Sequence, residues 1–449
     1  MPRILRETII EVREAALAWG PFVLIAIGLL IAAYVLLDPT PPRHVVLATG
    51  PDLSAYANFG QRYQAELKRY GINVELRQTL GSLQNRRLLR DSKERVDVAF
   101  VQGGSSDVNP QGNDKKEDME ELVSLGTVTF DPVWIFYRED AAKKLAQSPA
   151  LTSITQLRGW RINVGVRGSG TPGIMNRILA ANAVERDEPK RSFLEDNLAV
   201  VALLDGNLDA TVLVSAPESP MVQMLLQTPG IKLYEFGQAE SYARRYSFMT
   251  PVVLPRGVAD LARDVPSHDI ALVATTTSLL ARDGVHPALV QLFVQAASRV
   301  HSGPGWIARA GTFPNAQYGE FPLAKDAARY YQSGPPLLQR YLPFWLANLI
   351  DRMWVALVSI IAVLIPLSRL VPPLYEFRVR SRIFRWYRQL RQIEDTKQRG
   401  DVPAEELLAD LDKLDAKASR IVVPLSYADE LYALRTHIDL VRARLQKAS

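Results

Sequence analysis

"RINVGVRGSGTPGIMNRILA", residues 161–180, passes from a β-like apolar run through Gly168, Gly170 and Gly173 into a run with helical spacing. Its glycines spell G-x-G-x-x-G, the turn that opens a dinucleotide-binding βαβ unit, where an acidic residue about 20 positions later holds the ribose. Here the next convincing apolar run, Leu198 to Leu204, ends in Asp205, roughly thirty residues beyond Gly173. The fit to a nucleotide fold is poor. Pro172 suits the first position of a helix with Thr171 as its N-cap, so the free N–H groups of Ser169, Gly170 and Thr171 face whatever occupies the loop. Such a helix start attracts an anion, a carboxylate included. An ordinary strand-to-helix turn without a ligand is the plain alternative.

The same grammar occurs earlier in the chain. "HVVLATG" from residue 44 reads as a strand, "PDLSAY" as a loop, "ANFGQRYQAELKRYG" as a helix closed by Gly71, and "INVELRQT" as a second strand. "GSLQNRRLLRDSKE" is a loop leading into a short helix, and "ERVDVAFVQ" finds its counterpart in "GNLDATVLVS", with Asp209 in the role of Asp97. Two α/β lobes of like topology are the simplest explanation. Between them run "LVSLGTVTFDPVWIFYRED" and, on the return, "HDIALVATTTSLL", extended β-branched stretches long enough to cross from lobe to lobe. A two-strand hinge with a cleft follows.

Pro21 to Leu37 carries no charge, a run worth roughly 26 Å of helix against a hydrocarbon core of about 30 Å. Trp19 and Tyr34 sit near its ends, where aromatic rings favour the headgroup region. Met353 to Leu367 is a second apolar segment, flanked by Asp351, Arg352 and Arg369 and extendable upstream through Phe344, Trp345, Leu346 and Ile350. A signal peptide and a buried soluble helix are the respective alternatives. Arg3, Arg6 and Arg13 precede the first segment and an arginine cluster follows the second, so the positive-inside rule puts both ends in the cytoplasm. The expected organisation is a cytoplasmic N-terminal tail over 1–18, membrane helices over 19–37 and 346–370, an extracytoplasmic domain over 38–345 and a cytoplasmic helical tail over 371–449. Within the domain, one lobe takes about 43–135 and 270–320 and the other about 140–265. Such a chain is a two-pass protein of a bacterial inner membrane.

The chain has 449 residues, 47% of them hydrophobic and 22% charged, with a net charge of +5 and no cysteine. That composition allows a sizeable core and excludes disulfide frameworks, iron–sulfur clusters and thiol catalysis. Five scattered histidines show no metal-ligand spacing, no G-x-S-x-G elbow appears, and the positive excess lies in the tails. Neither cofactor, metal, nucleic acid nor catalysis is expected.

The series "ATGPDLSAY", "GSLQNRRLL", "VDVAFVQ", "LRGWRINVGVRGSGTPG", "LLDGNLDATVLVSAPESP" and "YSFMTPVVLP" resembles the TAXI family of TRAP-type solute-binding proteins over about residues 43 to 320. The resemblance implies an α/β, two-lobed type II periplasmic-binding-protein fold, here flanked by two transmembrane helices and followed by a cytoplasmic helical segment. It implies capture of a small anionic organic solute (amino acid, dicarboxylate or keto acid) for TRAP permease subunits. By motif, Ser54 and Tyr56 match the first carboxylate-facing loop, Asn85 the next, Gln102 the end of the first Asp-strand, Ser169, Gly170 and Thr171 the second-lobe loop, and Ser215 the end of the second Asp-strand. Two departures stand out. Asp52 would repel an anion if it faced the cleft, and Arg167 either clamps a carboxylate or sits solvated on the rim.

Helical spacing returns around Ile383 to Thr396, Ala404 to Arg420 and Tyr427 to Gln446, broken at Pro403 and Pro424. Leu407, Leu408, Leu411 and Leu414 share one face, as do Leu431, Leu434, Ile438, Val441 and Leu445. A self-packed helical unit and a docking surface are both open readings. Arg378 to Arg391, interleaved with aromatics, suits anionic membrane lipid. A second function therefore stands beside transport: a sensor relaying cleft closure through the membrane helices to a cytoplasmic partner.

Overall fold

The computed structural model describes residues 3–38, 40–105, 122–185, 188–335, 337–399, 402–418 and 428–446. They divide into two compact units, Thr40–Asn348 and a second formed by Met1–Pro39 with Leu349–Ser449.

The larger unit opens with strands β1 (His44–Ala48), β2 (Asn73–Arg77) and β3 (Val98–Gln102). β1 lies between the other two and parallel to both. Four of its five residues are buried, the near-continuous apolar run that a parallel strand covered on both faces requires. The next strand, β4 (Leu122–Arg138), is 17 residues long and passes out of this sheet. β5 (Arg161–Asn163), β6 (Lys190–Ser192) and β7 (Ala210–Val214) make the parallel part of the second sheet, edged by β8 (Ile231–Leu233) on β4. β9 (Thr250–Leu254) then leads to β10 (Ile270–Arg282), which returns to the first sheet.

The resulting order is β2-β1-β3-β10-β4, continued by β4-β7-β5-β6. β4 and β10 run antiparallel to each other from Leu122–Pro132 against Ala274–Arg282. From Val133 onward β4 pairs β7 instead, and the first half of β10 pairs β9. Pro132 stands at the change of partner. Having no N–H, proline cannot donate to a ladder, so the position where one sheet hands the strand to the other is where it is tolerated. Two parallel α/β sheets joined by two crossing strands constitute the type II periplasmic-binding-protein fold.

Each lobe has its own core. Phe59, Tyr63, Phe100 and Phe293 fill the first, Trp134, Phe136, Trp160 and Ile162 the second, all fully buried; each such side chain contributes roughly 1.5–3 kcal/mol by leaving water. The first lobe is completed from the far end of the domain by helices Pro287–His301 and Lys325–Ser333, which supply Leu289, Phe293 and Ala327 to its core.

One local expectation is corrected. The helix after the glycine turn begins at Thr171 itself and runs to Ala181, with Gly170 as its N-cap, so Thr171 does not cap with its side chain. The apolar run Leu198 to Leu204 is part of the helix Asp196–Leu204. The strand beside β5 is the short polar β6, whose pairing is fixed by backbone rather than by apolar periodicity.

The helices Arg3–Leu37, in the second unit, and Phe344–Ser368, in that unit from Leu349 onward, are long and apolar enough to cross a membrane, with mean hydropathy 2.5 over Trp19–Leu37 and 2.0 over Phe344–Ser368. Leu24, Leu36 and Ile361 are among their exposed apolar side chains. Arg352 Nη1 donates to the Asp38 carbonyl at 3.0 Å, tying the second helix to the end of the first. Helices Val371–Arg399, Ala404–Ala418 and Ala428–Gln446 pack together through Leu390, Leu407, Leu411, Leu414, Leu434, Ile438, Val441 and Leu445. Pro424 and Tyr427, and the side chains of Arg378, Arg380 and Arg382, lie outside the described residues.

Candidate functional site

The glycine turn of the second lobe meets the Leu80–Ser82 turn of the first. Gln84 N donates to the Gly168 carbonyl at 3.1 Å across the cleft. A Cβ on Gly168 would stand 2.9 Å from Leu80 Cβ, and one on Gly170 would run into the Gln102 side chain, whereas Gly173 faces open space. Gly168 and Gly170 therefore let two lobes touch.

Behind this contact lies an inner cavity of about 60 Å³, room for roughly four to six waters. Its wall combines Ser54, Tyr56, Gly81, Ser82 and Gln102 from the first lobe with Ser169, Gly170, Thr171, Glu195, Asp196 and Ser215 from the second. Seven of the nine residues named from the sequence thus converge. The first turn of the Thr171–Ala181 helix presents N–H groups that have no partner within the helix. Ser54 caps the helix Ala55–Lys68 by accepting from Ala57 N at 3.2 Å, and its hydroxyl hydrogen stays available. Ser169 Oγ donates to Val166 O at 2.9 Å and Ser215 Oγ to Ala216 O at 3.3 Å, which leaves both as acceptors.

Tyr56 contributes its ring rather than its hydroxyl. The ring stacks on Phe100 at 5.4 Å, and the hydroxyl donates to Asp131 Oδ2 at 2.8 Å, with Thr277 Oγ1 2.6 Å away. Asp131, in β4 beside Pro132, is fully buried at the strand crossing. Oδ2 also accepts from Thr277 at 2.5 Å and from Gln102 Nε2 at 3.5 Å, while Oδ1 has no partner. Burial raises this carboxyl to about 7 against the lowering effect of its donors. Asp196 is also raised by burial, to about 6, with the charge of Glu195 adding.

Asn85 does not line the cavity. It is fully buried, its amide donates to Thr49 O at 2.6 Å and Phe100 O at 2.8 Å, and Oδ1 accepts from Thr79 at 2.7 Å. It fastens β1, β3 and the Thr79 turn, and no polar atom is left for a solute. Arg167 lies on the opposite side of the turn, its guanidinium 4.4 Å from the Phe193 ring centre. Asp52 is exposed and away from the wall, so the repulsion expected of it does not arise.

Sequence reading passed over Asp131, Glu195 and Asp196. A carboxylate inside the long apolar run "TFDPVWIF" was the signal for the first; the other two read as an ordinary helix start. Among the described residues no group of three or more His, Asp or Glu is placed to hold a metal ion.

Residues 48–333 match the model of the NMT1-like family. Among solved structures, the chain resembles MatC from Rhodopseudomonas palustris with bound malate, at 14% identity and TM-score 0.39 over 72% of this chain and 100% of that one. It resembles the alkanesulfonate-binding protein SsuA from Xanthomonas axonopodis pv. citri bound to MOPS at 14% identity and TM-score 0.37, over 58% and 74% of the two chains. For the aliphatic sulphonate binding protein SsuA from Escherichia coli the values are 14%, 0.35, 75% and 94%.

Proposed function

Since the chain belongs to the NMT1-like family, we propose that it is a membrane-anchored solute-binding protein, a variant of the TAXI type, which captures a small organic solute for a TRAP-type transporter. The observation that carries the reading is the cavity between two lobes joined by β4 and β10, with Ser54, Gln102, Ser169, Thr171 and Ser215 on its wall. Closure of the lobes over the solute, with no bond made or broken, is the mechanism.

Three solute classes, amino acid, dicarboxylate and keto acid, share a carboxylate that suits Ser169, Gly170 and the first turn of the Thr171 helix. Glu195 and Asp196 on the same wall favour the amino acid. Two carboxylates close to a purely anionic solute would repel it, whereas an ammonium group gains from them. The small cavity favours a short side chain. Helices Arg3–Leu37 and Phe344–Ser368 support anchoring with the solute domain outside the cytoplasm, because the arginines flank them on the sides remote from that domain in sequence.

A thermal-shift screen of the full chain in detergent, against glycine, alanine, serine, malate and pyruvate, tests this. A rise in melting temperature with small amino acids, lost in Ser215→Ala and Thr171→Val, is expected. Stabilisation by malate or pyruvate alone would overturn the amino-acid assignment, and a response to none of the five would count against capture of a small carboxylate.

A further inference from the structure

The helix Val371–Arg399 carries two opposed faces. One belongs to the tail core: Leu390 is buried in it, Trp386, Tyr387 and Ile393 pack against it, and Lys397 Nζ donates to Arg444 O at 2.7 Å. The other starts at Leu374 and advances by steps of three and four through Phe377, Ser381, Phe384, Arg388 and Arg391, the spacing that keeps side chains on one side of a helix. Leu374, Phe377 and Phe384 are 64%, 72% and 61% exposed, so the three-helix assembly does not cover them. Charge accompanies the stripe. Phe377 to Ile393 holds six arginines and no acidic residue. Of these, Arg385, Arg388 and Arg391 are exposed and hold no ion pair among the described residues.

The stripe follows directly on the apolar helix Phe344–Ser368. That helix closes with the Arg369 N–H on Pro366 O at 3.1 Å and the Leu370 N–H on Leu367 O at 3.0 Å, each three residues back. Pro372 and Pro373 have no N–H with which to continue its ladder, and a new helix starts at Val371. Continued straight out of a bilayer, the stretch from Ser368 would carry Phe384 about 24 Å past the hydrocarbon edge, through a headgroup layer only about 5–7 Å deep. Laid along the surface, the same helix keeps Leu374, Phe377 and Phe384 at the acyl boundary and its arginines level with the headgroups.

We propose that this face binds anionic phospholipid, with the three apolar side chains in the acyl boundary and Arg385, Arg388 and Arg391 on lipid phosphates, whose oxygens guanidinium forks match. The contact holds the three-helix tail at the membrane surface. It rests on the reading of Phe344–Ser368 as a membrane span, and continuity with that helix favours lipid over a soluble acidic partner.

The chain has no cysteine, so Ser381→Cys takes a single polarity-sensitive fluorophore in the full-length protein. The labelled protein is placed in nanodiscs of phosphatidylcholine, alone or with about one-third phosphatidylglycerol, and quenching by brominated lipid is compared with quenching by aqueous acrylamide. In the phosphatidylglycerol discs, lipid quenching about twofold or more above that in phosphatidylcholine alone is expected, with a fall in acrylamide quenching. Both changes should be lost in Arg385→Gln/Arg388→Gln/Arg391→Gln, whose substitutions are all on the surface. Ile361→Cys, 53% exposed within Phe344–Ser368, reports the span itself. Lipid quenching at position 361 with acrylamide quenching alone at position 381 overturns the lipid face, leaves the anchor standing and points to a soluble partner. Absence of lipid quenching at position 361 overturns both. Equal lipid quenching at position 381 in the two discs, or in the parent and the triple variant, overturns the assignment to anionic lipid.

Discussion

Asp97 and Asp209 make the same pair of bonds in the two lobes. Asp97 Oδ2 accepts from Val46 N at 2.8 Å while its own N–H donates to Val46 O at 3.0 Å. Asp209 Oδ2 accepts from Arg161 N at 2.8 Å and its N–H donates to Arg161 O at 2.9 Å. Each aspartate stands one residue before an apolar strand, β3 or β7, and satisfies a backbone donor in the strand alongside, in the middle of β1 and at the start of β5. The recurrence of Asp before an apolar run is thus a recurrence of one physical device.

Asp209→Ala removes the acceptor of Arg161 N, an N–H at the edge of a buried ladder. A loss of about 1–3 kcal/mol is expected, seen as a lower urea midpoint for the Thr40–Asn348 unit. The Arg161–Asp209 ion pair at 2.6 Å adds little to this, because the arginine side chain is 47% exposed. Asp97→Ala should lower the midpoint by a similar amount. A midpoint unchanged in both variants would refute the shared role.

Gly168→Ala puts a methyl group 2.9 Å from Leu80 Cβ, in a contact that exists only when the lobes meet. The variant is expected to keep its fold and melting temperature in the absence of solute, to scatter X-rays as the more open form, and to lose about tenfold or more in solute affinity, the equivalent of roughly 1.4 kcal/mol. Leu80→Gly in the same chain should restore closure. Normal affinity in Gly168→Ala would show that the turn contact is incidental to binding.

Asp131→Asn tests the strand crossing through pH. Burial raises the folded-state carboxyl to about 7 from its ordinary value of 3.8, so between about pH 4 and 7 the folded chain holds a proton that the unfolded chain releases. Stability from this group is greatest below that window and falls as pH rises through it, levelling above about pH 7. Asparagine does not titrate. The melting temperature of the variant minus that of the parent should therefore increase from pH 5 to pH 8, by the equivalent of at most about 2.7 kcal/mol. His301, held at about 3 by burial against Phe59 and Tyr63, acts in the opposite direction but equally in both proteins, and cancels in the difference. A difference flat with pH would mean that Asp131 stays ionised throughout.

Ile438→Ala opens a hole among Leu411, Leu414 and Leu434 in the tail core. A loss of about 2–5 kcal/mol from the three-helix assembly is expected. Hydrogen exchange should quicken across Ala404–Ala418 and Ala428–Gln446 and stay unchanged in β1 and β3. Slow exchange in the tail helices of the variant would show that this core does not hold them.

Patterning made β4 and β10 legible, because runs of β-branched and aromatic residues of that length have no other stable use in a domain of this size. It also made Ser169, Gly170 and Thr171 legible as one wall, although the Ser169 N–H, expected to be free, donates to Val166 O at 3.1 Å because the turn closes on itself. Asn85 was misleading for a related reason: a polar residue beginning a helix after a loop has the same local spelling whether it faces a cleft or is buried among carbonyls. Only Thr49 O and Phe100 O, 36 and 15 residues away in sequence, make the distinction.

By itself, then, the sequence determined the elements, the doubling of the lobe and the two apolar helices, all of which depend on neighbours a few residues apart. The tertiary structure decided which charged side chains stand on each side of one glycine turn. It brought Glu195 and Asp196 to the inner wall and Arg87, Lys190 and Arg191 to the outer one. Electrostatic character belongs to a space enclosed by distant segments, and a linear order of residues does not carry it until the lobes meet at Gly168 and Leu80.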